Sequence, residues 1–278
     1  MTPFNRVHLR RRMNRPFVDV LHNFVAEELL ERIDFVKRDF DAGLISGRLS
    51  PALEAAFCRS TTRFTFATPS TEDSLTCKFS HVVSDVVQPF RRAFPLAISL
   101  NDLHLGEDPV RMLAEIRGTL IPDGLFLGAA AAAGTLPELS QSLLAAEAGL
   151  TGGAAIRMAP LADMRRWGDA LARAGFALPV VDEVRVTLRY RTLAALFEDL
   201  RGMGQRGVLA HRTPAPRQLF ARTEDHYRAA FSDPDGKLRA TFVFAFLSGW
   251  APDPSQQKPA KRGSATMRLE DALKNAGG

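Results

Sequence analysis

The residue types best suited to chemistry gather in one short run, Ser99-Leu100-Asn101-Asp102-Leu103-His104. An amide, a carboxylate and an imidazole this close together can hold a polar ligand by hydrogen bonds, and the imidazole could move a proton near neutral pH. A lone histidine is more often structural, and Asn and Asp also serve simply as turn and cap residues. Two more positions belong with this run. Gly47 ends an apolar stretch, where a missing side chain lets the backbone approach a ligand. Asp85 follows Val82-Val83, where it either offers its carboxylate to a ligand or caps a turn. The six histidines include no HxxxH pair and the two cysteines, Cys58 and Cys77, lack ligand spacing, so no metal site is expected. No GxSxG is present, which disfavours a hydrolase.

Positioning these groups requires a parallel sheet. From Phe94 to Gly128 the chain reads as strand, loop, helix, turn and strand, one crossover unit. Leu96-Ala97-Ile98 and Leu125-Phe126-Leu127 are continuous apolar runs, as in strands buried on both faces. Between them Asp108 can cap a helix, Pro109 suits its first turn, and Leu113, Ile116 and Leu120 recur at helical spacing. Pro122-Asp123-Gly124 reads as the turn into the second strand. In open parallel sheets ligands sit beyond the carboxyl ends of strands, which puts residues 99–104 at the mouth of a cleft.

The remaining elements fit the same plan. Leu21, Phe24, Val25, Leu29 and Ile33 mark an amphipathic helix that covers the sheet. Residues 40–46 read as a first strand, then Gly47-Arg48-Leu49 and a helix capped by Ser50 with Pro51 in its first turn. Arg63-Phe64-Thr65-Phe66 is a second strand and Val82-Val83 a third. The turn after the first strand holds one glycine where nucleotide-binding folds use several, and the second strand ends without the acid that would bind ribose hydroxyls; Glu72 and Asp73 come several residues late. Further on, Thr135 and Glu138 have capping-box spacing before a helix carrying Leu139, Leu143 and Leu144, broken over Gly149–Gly153. Met164, Trp167 and Leu171 define another helix, stopped by Gly175. Residues 184–190 alternate as a half-buried strand. Two short helices follow, one with Leu193, Leu196, Phe197 and Leu200, the other with Phe220, Tyr227 and Phe231. Asp233–Gly236 is a turn, and residues 241–247, apolar on both faces, read as a central strand.

The 278 residues, 46% hydrophobic, suffice for a full core. The formal charge of +5 admits acidic partners. Arg6, Arg10, Arg11, Arg12 and Arg15 cluster near the start, with no acid before Asp19. This cluster suits a targeting peptide, a phosphate-binding arm or, preferred here, the solvated face of a helix; nucleic-acid binding rests on it alone and is disfavoured. No apolar run approaches the roughly 20 residues that span a bilayer, and no secretory signal is apparent, so a cytoplasmic location is expected.

Along nearly its whole length the chain resembles class I S-adenosylmethionine (SAM) methyltransferase-fold proteins. It is most similar to the branch containing the mitochondrial complex I assembly factor that acts as a protein-arginine hydroxylase, with malonyl carrier-protein methyltransferases of biotin synthesis as relatives. The likeness is carried by Phe4-Asn5-Arg6, residues 101–128, Gly134-Thr135-Leu136, residues 173–182, Asp199–Gly204, Ala240-Thr241-Phe242, Gly249-Trp250, Ser255-Gln256 and Gly263–Thr266. The C-terminal motifs favour the assembly-factor branch. The resemblance implies an α/β fold: a doubly wound, mostly parallel, seven-stranded Rossmann-like sheet, with an N-terminal helical cover and a helical insertion before the last strand. The expected domains are a basic helical segment at 1–36, the methyltransferase-like domain at 37–250 with its insertion near 192–232, and a tail at 251–278. It also implies SAM as cofactor across the carboxyl edge, with Gly47 in the cofactor loop, Asp85 near the adenine, and Asn101, Leu103 and His104 lining the centre of the cleft. His104 is the candidate base. Leu105 stands where the family usually has tryptophan. Three functions follow: a SAM-dependent methyltransferase with a degenerate loop and unnamed acceptor, a protein-binding assembly factor for respiratory complex I that has lost turnover, or an arginine hydroxylase, for which no iron-binding triad is recognisable.

Overall fold

The computed structural model describes residues 20–47, 57, 62–68, 80–83, 90–106, 108–202, 209 and 213–257. A helix, α1 (Val20–Phe35), precedes strands β1 (Ala42–Gly47), β2 (Arg63–Thr68), β3 (Ser80–Val83) and β4 (Phe94–Leu100). A one-turn 3-10 helix (Leu103–Leu105), α2 (Pro109–Thr119) and β5 (Leu120–Ala131) follow. The chain continues through α3 (Pro137–Thr151), α4 (Met164–Arg173), β6 (Ala177–Tyr190), α5 (Leu193–Gly202), α6 (Leu219–Phe231) and β7 (Leu238–Trp250).

The strands form one mostly parallel sheet in the order β3-β2-β1-β4-β5-β7-β6. From β3 to β5 neighbours are parallel; β7 runs antiparallel to both β5 and β6. The strand order reverses between β1 and β4, the topological switch point at which α/β sheets open a crevice. Gly47 pairs with Leu100 there, so the two strand ends lie side by side.

Each face of the sheet is covered because its strands are apolar on both sides. On one face Leu21, Val25, Ala26 and Leu29 of α1 share a core with Ile45, Ile98, Leu127 and Leu139, joined by Leu193, Leu219 and Tyr227. On the other, Leu113 and Ile116 of α2 and Trp167 and Leu171 of α4 pack over Leu44, Ala97 and Phe126. The predicted cap of α2 is present: Asp108 accepts a hydrogen bond from the Arg111 backbone N–H at 3.0 Å, with Pro109 in the first turn.

Two expectations need correction. Thr135 and Glu138 make no capping box, and α3 starts at a left-handed Leu136 without a side-chain cap. Thr135 instead bridges to β7, its hydroxyl donating to the Val243 carbonyl and accepting from the Val243 N–H. Glu138 accepts from the Thr241 N–H and hydroxyl on the same strand. The capping spacing is local, whereas β7, about 100 residues later, offers donors in a dry interface where an unpaired carboxylate is costly. Pro122-Asp123-Gly124, read as a turn before the strand, lies inside β5, which begins at Leu120. Asp123 has φ +58°, and the β4–β5 register shifts beside it, between Phe94 and Leu96.

Candidate functional site

The carboxyl edge of β1 and β4 is shaped by two left-handed backbone positions. Gly47 has φ +105°, and a Cβ there would lie 2.6 Å from the Leu100 carbonyl oxygen. Only glycine lets the strand ends approach this closely. Asn101 follows with φ +49°, a conformation Asn tolerates better than most residues. The residue is 5% exposed, and among the described residues its Oδ1 has no hydrogen-bond partner. Buried acceptors are nearly always satisfied, which sets this oxygen apart at the sheet's switch point.

The 3-10 turn places the next two candidates differently. Leu103 is fully buried in the core formed with α2 and α4, so its side chain does not line the cleft. His104 is buried, and its Nδ1 accepts the Ala131 N–H at 3.3 Å, tying the turn to the end of β5. In the neutral ring that bond leaves the proton on Nε2, so the imidazole is held as a donor rather than as a base. Asp85, Arg48, Leu49, Pro51 and the N-terminal arginines lie outside the described residues. The structure therefore brings Gly47, Asn101 and His104 to one edge, and buries Leu103 beneath it.

One feature of the edge is missed in the sequence. The Asp102 carboxylate accepts a hydrogen bond from the Ser99 hydroxyl. Burial pushes the Asp102 carboxyl above the usual carboxylate range, opposed by that bond, by its own backbone N–H and by the charge of His22. His22 comes from α1, where it is buried beside Leu21, Val25 and Ala26. Its place at helical spacing with Ala26 and Leu29 on an apolar face was the available signal. Among the described residues no group of His, Cys, Asp and Glu is arranged to hold a metal ion, and no helix is long and apolar enough to cross a membrane.

No family model matches the chain. It is 31% identical over 270 residues to the mouse mitochondrial arginine-hydroxylase NDUFAF5, covering 92% of this chain and 77% of that protein. It is 36% identical over 146 residues to the malonyl-[acyl-carrier protein] O-methyltransferase of Laribacter hongkongensis, covering 52% of this chain and 46% of that protein. Among solved structures, a chain from Bacillus halodurans described as a candidate methyltransferase matches with a TM-score of 0.54 at 12% identity, covering 82% of this chain and 100% of that one. At that identity the match concerns the fold alone.

Proposed function

We propose, from the premise that this chain belongs to the NDUFAF5 family of methyltransferase-fold proteins, that it binds SAM at the β1–β4 switch point as a methyltransferase. The reading is carried by the buried, unpartnered Oδ1 of Asn101 beside Gly47. These residues fit a sulfonium amino-acid ligand: the Asn101 oxygen accepts from its amino group, and Gly47 leaves backbone accessible at the strand end. When bound, that group supplies an electrophilic methyl. The protein's own contribution is then to hold an acceptor in line with it and to exclude water, which needs no universal proton-transfer residue. His104, donating through Nε2, serves orientation in this scheme. On the family likeness Asp85 is assigned to the adenine edge.

A second reading, a non-methylating assembly factor or hydroxylase acting on respiratory complex I, is favoured by the degree of likeness over the whole chain: the mouse NDUFAF5 relative is 31% identical across 92% of this chain, the malonyl-[acyl-carrier protein] O-methyltransferase of Xylella fastidiosa 28% across 90%. Calorimetric titration with SAM and S-adenosylhomocysteine separates the two. Micromolar binding, weakened about tenfold in Asn101→Ala, or about 1.4 kcal/mol, is expected. The absence of both heat and thermal stabilisation at millimolar ligand would remove the methyltransferase reading and make capture of a protein partner the next step.

A further inference from the structure

The opposite, amino edge of the sheet carries a concavity that the methyltransferase reading does not use. A cavity of about 610 Å³ opens beside the starts of β4 and β5, lined by Phe90, Arg91, Arg92, Arg117, Pro122 and Pro252. That volume lies in the range of small-molecule sites, roughly 300–1,000 Å³. Three arginines from two segments of chain line it.

Among the described residues Glu115 is the sole acid in its wall, and it is already paired with Arg111 at 2.9 Å. The carboxylate of Asp123, next to Pro122, is engaged by Arg38 at 2.9 Å and by the Gln256 side-chain amide at 2.9 Å. Among the described residues Arg91, Arg92 and Arg117 have no carboxylate partner. Arg117 is half-buried, with its guanidinium beside Gly175, and among the described residues its buried Nε has no acceptor.

The cavity is also built on fixed backbone. Arg92 sits at φ +47°, and its N–H donates to the Gly118 carbonyl at 3.0 Å, while the Ala93 N–H donates to Thr119 at 2.8 Å. The arginine segment is thereby pinned to the end of α2, the helix that carries Arg117. Phe90 is held edge-on against Phe94, with ring centroids 5.2 Å apart. Planar guanidinium forks match phosphate and carboxylate oxygens in pairs, and the ring and prolines offer an apolar wall beside them.

We propose that this amino-edge cavity is a binding site for a small organic anion, a phosphate or carboxylate head on a compact apolar body. It is separate from the SAM site and does not depend on that reading. The arginines hold the head, and Phe90, Pro122 and Pro252 cover the body.

The test is titration of the full chain with phenyl phosphate and with inorganic pyrophosphate, followed by calorimetry and melting temperature. Saturable binding of phenyl phosphate is expected, with affinity falling at least tenfold in Arg91→Ala/Arg92→Ala, residues exposed enough to change without unfolding the chain. Arg117→Lys should recover part of the affinity lost in Arg117→Met. Binding should be unchanged in Asn101→Ala, in Arg10→Ala/Arg11→Ala/Arg12→Ala, and with saturating S-adenosylhomocysteine. Competition by that nucleoside, loss of binding in the N-terminal variant, or indifference to the Arg91/Arg92 change would each overturn the proposal. So would binding of an acidic peptide with neither small anion bound.

Discussion

The two halves of the sheet are stabilised in different ways. In the parallel half, the β1–β4 junction takes its shape from main-chain conformation: Gly47 at φ +105°, Asn101 at φ +49°, and a strand-end contact no side chain could share. In the antiparallel half, β7 is held by side chains from α3 and α6. Thr135 just before α3 and Glu138 in its first turn reach it from one side, and the Tyr227 hydroxyl of α6 donates to the Arg239 carbonyl at 2.6 Å. The difference separates two tasks. Side-chain clasps lock the antiparallel half, and the switch point is specified by a few backbone angles.

Substitutions sharpen or break that contrast. The largest effect is expected at Gly47→Ala, where a left-handed φ and a 2.6 Å approach to a carbonyl oxygen combine. Strain of roughly 1–3 kcal/mol and the steric clash together give a loss of about 3 kcal/mol or more in denaturant unfolding. A loss under about 0.5 kcal/mol, the level of an ordinary surface change, would mean that the junction is not held by its backbone.

Next comes Glu138→Ala, which leaves the Thr241 N–H and hydroxyl without their acceptor. A cost of about 1–3 kcal/mol is expected. Glu138→Gln, which keeps an acceptor oxygen, should recover part of it. Equal losses in the two variants would show that the carboxylate's charge, not its hydrogen bonding, holds α3 to β7.

Tyr227→Phe should cost about 1 kcal/mol, the value of one net hydrogen bond. Burial, and then the negative charge of Glu138, push the Tyr227 pKa up. With the folded pKa above the unfolded one, this group's stabilisation is complete below about pH 10 and is lost as pH rises through the folded pKa. Unfolding midpoints of the wild type should therefore fall more steeply above about pH 10 than those of Tyr227→Phe; parallel curves would remove the group from the titration.

The smallest effect is expected at Asp102→Asn. Because burial raises the Asp102 carboxyl, its contribution is complete below the ordinary carboxylate pKa, about 4, and is lost as pH rises through the folded value. The variant should gain stability relative to wild type on going from acid to neutral pH. A difference that does not change with pH would show that Asp102 ionises in the fold as it does in the unfolded chain.

Local chemistry alone determined much of this protein. Period-two and period-3.6 apolar patterns located the strands and helices around the crossover unit, and Asp108-Pro109 fixed the start of α2, because caps and periodicity act within a few residues. Gly175, at φ +84°, ends α4 for the same reason. The family resemblance also followed from linear motifs. What the tertiary structure decided depends on residues far apart in the chain. Glu138 could not be recognised as a clasp for Thr241, because their pairing is made by sheet order rather than by spacing. Leu103 and His104, adjacent in sequence, part company because the 3-10 turn sends one into the core and ties the other to β5. The arginines at 91, 92 and 117 become one site only when the start of β4 is pinned against the end of α2. Sequence fixes what each short segment prefers; only folding brings charges together and denies them their usual partners.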